Sequence, residues 1–298
     1  MRERQGIGED GSVAEAIRRR TVGGGLVAEI RADRWRRGSH ELILDGTPQS
    51  HVNLDDPTEL AYEYVRRMGN VIDLVRPPGE AITALHLGAG GLTLPRYIDA
   101  TRPGSRQQVV EIDPALVDFV REELPWDRRA SIRIRYGDAR DQLGRLPAGL
   151  LGAVDVLVVD VFAGARTPPQ VTSVEFYREA AARLRPDGVL LANIADGPPQ
   201  PYARGQAATI REAVGPVVVL AESSVFKGRR FGNLVIAASP GGIPADWLSP
   251  LYAAGPHPAT VAEGGELTRF IAGNRPVTDA TATGSPEPGR GVFRFSGD

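Results

Sequence analysis

The chain has 298 residues, 42% of them apolar, a formal net charge of −2 and no cysteine. The apolar share supports a sizeable core and excludes wholesale disorder, and without thiols there are no disulfides or thiolate metal sites. The near-zero net charge argues against nucleic acid as the main partner.

Residues 1–24 are polar, charged and glycine-rich up to Gly23-Gly24-Gly25, and read as a mobile tail with a short helix near Val13–Arg19. The segments "LVAEIRAD" and "HELILDG" alternate in the manner of a hairpin, and "TPQSHVN" supplies a further short strand. Asp56-Pro57 offers a cap and a first-turn proline for a helix over Thr58–Arg76, which Pro77-Pro78 ends. Residues 25–76 thus read as an N-terminal β segment with a linking helix. The basic runs Arg18-Arg19-Arg20 and Arg34-Trp35-Arg36-Arg37 read as solvated faces.

From about residue 81 short apolar runs alternate with helical segments. "AITALHLG", "QQVVEID", "SIRIRYGD", "VDVLVVDVF" and "GVLLANIAD" are the strands, with helices at "LTLPRYIDA", "PALVDFVREEL", Ala139–Leu146, "SVEFYREAAARL" and Ala203–Ala213. Continuous apolar strands joined by helices imply a parallel, doubly wound α/β sheet over 77–240. Ser223–Phe231 is too short for a helical crossover, so "PVVVLAES" and "GNLVIAAS" should close the sheet as an antiparallel hairpin. Residues 241–298 are rich in proline, glycine, alanine and threonine and read as a loosely attached extension, with Val292–Phe295 docking through its aromatics.

The four histidines, His40, His51, His86 and His257, are scattered without ligand spacing, and no metal is expected. No apolar run reaches 18 residues and the first residues lack a signal-peptide core, so no membrane span and a cytoplasmic location are expected.

In an open α/β sheet the ligand sits beyond the carboxyl ends of the strands. The first such end is Gly88-Ala89-Gly90-Gly91, where glycines permit positive φ and close ligand approach. The second is Glu111-Ile112-Asp113. Asp113 before Pro114 suits a helix cap, whereas Glu111 lies inside the apolar run and is assigned to the hydroxyls of a ribose. At the third, Asp138 either accepts from an exocyclic adenine amine beside the Ala139 backbone donor or caps the next helix. At the fourth, Asp160 either orients or deprotonates an acceptor or is satisfied by loop amides. The set suits a nucleoside better than a dinucleotide, because Thr93 stands where a pyrophosphate fingerprint needs its third glycine.

At these motifs the chain resembles the spermidine synthase family, within the class I S-adenosylmethionine-dependent transferases. The similarity runs from about Leu42 to Ser239 and includes "LDGTPQS", "LGAGGLTLPR", "VVEID", "YGDAR", "VDVLVVDVF" and "EFYREAAARLRPDGVLLANI". It implies a Rossmann-like, mostly parallel seven-stranded sheet with a C-terminal antiparallel hairpin, preceded by a small N-terminal β domain, and a homodimer. It further implies that Gln49, Gly88, Ala89, Gly90, Glu111, Ile112, Asp138, Ala139 and Asp160 surround an S-adenosylmethionine or decarboxylated S-adenosylmethionine cofactor, with Asp160 in the catalytic position.

The chain also departs from that pattern. Gly91 replaces an acid of the family's glycine turn, Ala163 replaces the second acid after strand four, and Asn193 replaces a glutamine on strand five. The family's Tyr-His-Glu is Tyr62-Glu63-Tyr64 here. Each lost acid should cost a polycation about 1–3 kcal/mol in charge-assisted bonds, while the nucleoside set stays intact. Phe162 makes the acceptor side more apolar, and Tyr62 or Tyr177 is expected to line it. The leading expectation is methyl transfer to a small-molecule acceptor. Aminopropyl transfer is the second, with Glu63 or Asp196 standing in for the missing acids, and a non-catalytic adenosyl-binding or scaffold role is the third.

Overall fold

A computed structural model describes residues 17–287. Its N-terminal part is a four-stranded antiparallel sheet in sequence order: β1 (Arg18–Thr21), β2 (Val27–Ala32), β3 (Ser39–Leu44) and β4 (Thr47–Asn53). Asp45 and Gly46 join β3 to β4, both with positive φ (45° and 77°), as a two-residue hairpin of this twist requires. The expectation of a tail with a helix near Val13–Arg19 is corrected where it can be followed. Arg18–Thr21 is extended and pairs with β2, while residues 13–16 lie outside the described residues.

The linking helix α1 (Glu63–Val75) starts later than Thr58. Asp56 does act as a local cap, but its Oδ1 accepts from the amide and hydroxyl of Thr58 (2.9 and 2.6 Å) and closes a turn instead of opening a helix.

The remaining elements alternate: β5 (Thr83–Leu87), α2 (Thr93–Thr101), β6 (Arg106–Glu111), α3 (Pro114–Glu123), β7 (Ile132–Tyr136), α4 (Ala139–Leu143), β8 (Val154–Val159), α5 (Val174–Ala181), β9 (Leu184–Asp196), α6 (Pro201–Ala213), β10 (Val217–Glu222), α7 (Ser223–Phe226) and β11 (Gly232–Ala238). The C-terminal part adds α8 (Leu248–Ala254), β12 (Ala259–Ala262) and α9 (Gly264–Ile271). Strand order is β12-β10-β11-β9-β8-β5-β6-β7, with β7, β6, β5, β8 and β9 parallel and the other three antiparallel. The mostly parallel sheet and its closing β10–β11 hairpin are as expected, and β12 extends the seven strands to eight.

Apolar residues cover both faces. Leu85, Leu87, Leu157 and Val159 face α5, α6 and α9, while Ala84, Val156, Val158 and Leu191 face α1, α2 and α8. The N-terminal sheet packs Ala28, Ile30, Leu42 and Val52 against Leu116, Phe119 and Val120 of α3. Residues 241–287 are not a loose extension. β12 pairs with β10, and Leu267, Phe270 and Ile271 of α9 are buried in the main core. Val292–Phe295 lies outside the described residues. Among the described residues no helix is long and apolar enough to cross a membrane.

Candidate active site

The strand register brings the polar tips level. Leu87 lies opposite Val110 on one side and Val159 on the other, and Val159 lies opposite Ala192. Asn193, Asp160, Gly88 and Glu111 therefore stand in a row across four neighbouring strands, with Gly137-Asp138 next on β7. Chain order reverses between β5 and β8, the place where loops diverge and leave a crevice at the carboxyl edge of such a sheet.

The turn after β5 is wedged between the tip of β8 and the N-terminal sheet. Gly88 has φ +93°, and a Cβ there would lie 2.1 Å from the Asp160 carbonyl oxygen. Gly90 has φ +48° and a virtual Cβ 2.4 Å from Ser50 Oγ, which accepts from the Gly91 amide at 2.9 Å. At Gly88 the clash is with backbone and glycine is required, while a side chain at Gly90 would have to displace the Ser50 hydroxyl and its bond to Gly91. Glu111, 8% exposed, accepts from the Ala89 amide at 3.1 Å and the Asp113 amide at 3.0 Å. Burial pushes its carboxyl up, against the pull of those donors. Beside it the Ile112 side chain is 66% exposed, an apolar surface at the mouth of the crevice.

Two acids at the tips act as caps. Asp113 accepts from the amides of Ala115 and Leu116 at the start of α3, and from Gly23 at 2.7 Å, which ties the N-terminal sheet down. Asp138 caps α4 through Oδ1, accepting from the amides of Arg140 (2.9 Å) and Asp141 (3.2 Å). Its Oδ2 accepts from Gln170 Nε2 at 3.1 Å, and Ala139 is buried beneath it.

Asp160 is the centre of a polar chain. Asn193 Nδ2 donates to its Oδ1 at 2.8 Å and Tyr64 OH donates to its Oδ2 at 3.3 Å. Asn193 Oδ1 in turn accepts from Asn233 Nδ2 at 2.9 Å. Burial raises the Asp160 carboxyl above its ordinary value, and the two neutral donors pull it back. Tyr64 is the residue that reading the sequence missed. Its signal was its place at the end of Tyr62-Glu63-Tyr64, where the family carries a glutamate.

Other expected site residues are placed differently. Tyr62 donates to Glu41 at 3.2 Å, and its ring lies between those of His51 and Tyr64, with centroids 6.1 and 6.3 Å away. It backs Tyr64 and makes no hydrogen bond to Asp160. Gln49 donates to the Gly164 carbonyl at 3.3 Å and so reaches the loop that follows Asp160, where Phe162 is half-buried.

Tyr177 does not line an acceptor site. It is 1% exposed in the core, with its hydroxyl donated to Gln206 at 3.1 Å, because α5 turns this side chain onto the sheet. Neither substitute acid serves as expected. Glu63 is exposed and pairs with Arg67, and Asp196 caps α6 by accepting from the amides of Gly197 and Ala203, both at 2.8 Å. Among the described residues no group of three or more His, Asp or Glu side chains could hold a metal ion.

No family model matches the chain. It is similar to the polyamine aminopropyltransferase of Neisseria meningitidis serogroup A, 30% identical over 149 residues, which are 49% of this chain and 54% of that protein. It is also similar to the eEF1A lysine and N-terminal methyltransferase of Mus musculus, 26% identical over 174 residues, 55% of this chain and 25% of that protein. The chain spans about half the length of the Neisseria relative and less of the mouse one. Among solved structures, a probable spermidine synthase from Corynebacterium glutamicum superposes with a TM-score of 0.79 at 27% identity, covering 94% of this chain and 99% of that one.

Proposed function

We propose, since the chain belongs to the spermidine synthase-like family, that it is a transferase of an S-adenosyl nucleoside and that it moves a methyl group to a small acceptor of low positive charge. The bound nucleoside's sulfonium would supply the group to be transferred. Gly88, Ala89 and Gly90 fit such a ligand because the two glycines have no side chains and Ala89 has only a methyl group, so the backbone lies nearly bare at the crevice. Glu111 uses one lone pair of each oxygen on backbone amides and keeps others for the ribose hydroxyls. Ile112 covers one face of the adenine, Asp138 and Ala139 meet its edge, and Gln49 closes the site from the N-terminal sheet.

One observation carries the choice of transferred group: both oxygens of Asp160 are held by neutral partners, Tyr64 and Asn193. A flexible polycation needs acids at matched spacing. Here Gly91, Ala163 and Tyr64 stand where family members carry acids, and Glu63 and Asp196 are engaged elsewhere. Asp160 can still orient an acceptor or take its proton while alignment and desolvation lower the barrier to in-line displacement.

Aminopropyl transfer is the second reading, favoured by the names of the Neisseria and Corynebacterium relatives. Calorimetry with S-adenosylmethionine and its decarboxylated form, followed by product mass analysis over a panel of amines and phenols, decides between them. Tighter binding of S-adenosylmethionine and a product heavier by one methylene are expected; tighter binding of the decarboxylated form and an aminopropyl adduct would overturn methyl transfer.

A further inference from the structure

Asp160, Asn193 and Asn233 stand on one face of the sheet, at the tips of the neighbouring strands β8, β9 and β11. They continue the alternation of Val158, Leu191 and Val235, which pack toward α1. The hydrogen bonds along this row have only one possible direction. A carboxylate accepts and never donates, so Asn193 must turn Nδ2 to Asp160 and Oδ1 to Asn233. Asn233 must then turn its own Nδ2 to Asn193, at 2.9 Å. Its Oδ1 is left over. That oxygen accepts from no group among the described residues and is not sealed in the core, since Asn233 is half-buried at the carboxyl edge.

The acids of β10 and α1 beside this end of the row are already neutralised. Glu222 accepts from the Val225 amide at 3.1 Å and pairs with Arg230 at 3.0 Å, and Glu63 pairs with Arg67 at 3.3 Å. The row thus offers a carboxylate at Asp160 and a neutral carbonyl oxygen at Asn233. Strands β8 and β11 lie two strand spacings apart, roughly 10 Å.

We propose that Asn233 is a specificity-determining residue and that the acceptor is a short amino alcohol, whose amine meets Asp160 and whose hydroxyl donates to Asn233 Oδ1. The inference rests on the transferase reading above. Four carbons separate an amine from a hydroxyl by roughly 6 Å, and hydrogen bonds of about 2.8 Å at the two ends carry the molecule across the row. A diamine would bring a second ammonium to a neutral carbonyl with no counter-charge. In the transfer the amine lone pair forms the new C–N bond as the C–S bond breaks. The electron pair of that bond stays on sulfur, and one amine proton passes to Asp160.

The test uses the full chain saturated with S-adenosylhomocysteine, and ligand-observed NMR with 4-aminobutan-1-ol, butylamine and putrescine as probes. Wild type should bind the amino alcohol about fivefold or more tightly than either amine, the worth of one hydrogen bond. Asn233→Leu should erase the advantage over butylamine. Asn233→Asp should move the preference about tenfold toward putrescine, because it sets a second acid at the far end. Affinity for S-adenosylhomocysteine, read by calorimetry, should stay within about twofold in both variants. Asn233→Asp keeps the size of the side chain, so the test survives if Asn233→Leu does not fold. Tighter wild-type binding of putrescine, or no detectable binding of the amino alcohol, overturns the substrate class. An amino-alcohol preference that survives in the Asn233 variants overturns the role of this residue. Failure of wild type to bind S-adenosylhomocysteine is a separate readout, and it overturns the transferase reading itself.

Discussion

Asn193 donates to Asp160 at 2.8 Å across the β8–β9 boundary, and Tyr64 reaches the other carboxylate oxygen from α1. A carboxylate held this way has a fixed orientation and only neutral neighbours. In the proposed reaction Asp160 works as the carboxylate, and burial sets its pKa above the ordinary range. Activity should therefore fall as pH drops through that raised value. Tyr64→Phe removes a bond that favours the charged form, so the acid limb of the rate profile should move to higher pH. Asp160→Asn should lower turnover roughly 10²–10⁴-fold at any pH, the range expected when a positioned proton acceptor is lost. An unmoved acid limb in Tyr64→Phe would separate Tyr64 from the chemistry.

Glu111 joins the glycine turn to the tip of β6 through the Ala89 and Asp113 amides. Replacing it removes the ribose acceptor and leaves two backbone donors unpaired. Glu111→Ala should weaken S-adenosylhomocysteine binding by about 1.5–3 kcal/mol, roughly one to two decades, with Glu111→Gln losing less because it keeps one acceptor. Calorimetry measures both, and wild-type affinity in Glu111→Ala would remove this residue from the site.

The tips of the parallel strands were legible because each strand is a run of apolar residues with a visible end, and Glu111 stands out as a charge inside such a run. Orientation on helices was not. Asp56-Pro57 resembles a helix start, but Thr58 takes up the Asp56 carboxylate, and α1 begins five residues later. Without that phase, Tyr62 and Tyr64 could not be told apart as neighbours of Asp160. Tyr177 carries the same side chain, and only its 1% exposure removes it from the site. The C-terminal elements were missed for another reason: "ATVA" is only four residues long, and the helical spacing of Leu267, Phe270 and Ile271 in α9 follows Gly264-Gly265 inside a stretch rich in glycine, alanine and proline, which reads as loop.

Gly88 should tolerate no side chain. A Cβ there meets the Asp160 carbonyl oxygen at 2.1 Å and must also hold φ at +93°. Gly79 shares a positive φ (+78°), with nothing within 4 Å of its virtual Cβ. Gly79→Ala should therefore cost about 1–2 kcal/mol from backbone strain alone. Gly88→Ala adds a clash with backbone that cannot yield, and should cost at least about 3 kcal/mol and displace Asp160. Urea unfolding of the two variants separates strain from contact, and equal losses would contradict this account of the turn.

His86 lies in the middle of β5, 1% exposed, with Nε2 3.0 Å from Gln107 Oε1. Gln107 donates its amide to the Pro95 carbonyl at 2.8 Å, which leaves Oε1 as the acceptor and places the histidine proton on Nε2. Burial lowers this imidazole to about 4 from an ordinary 6.5, against the pull of Gln107. Below pH 6.5 the unfolded chain takes up a proton that the folded chain refuses until about pH 4. Stability is thus complete above the unfolded value and falls as pH drops through this window, by about 3 kcal/mol from this group. Urea titrations from pH 7.5 to 4 should show a shallower decline in His86→Leu than in wild type. Parallel declines would mean that the acid sensitivity of the fold lies elsewhere.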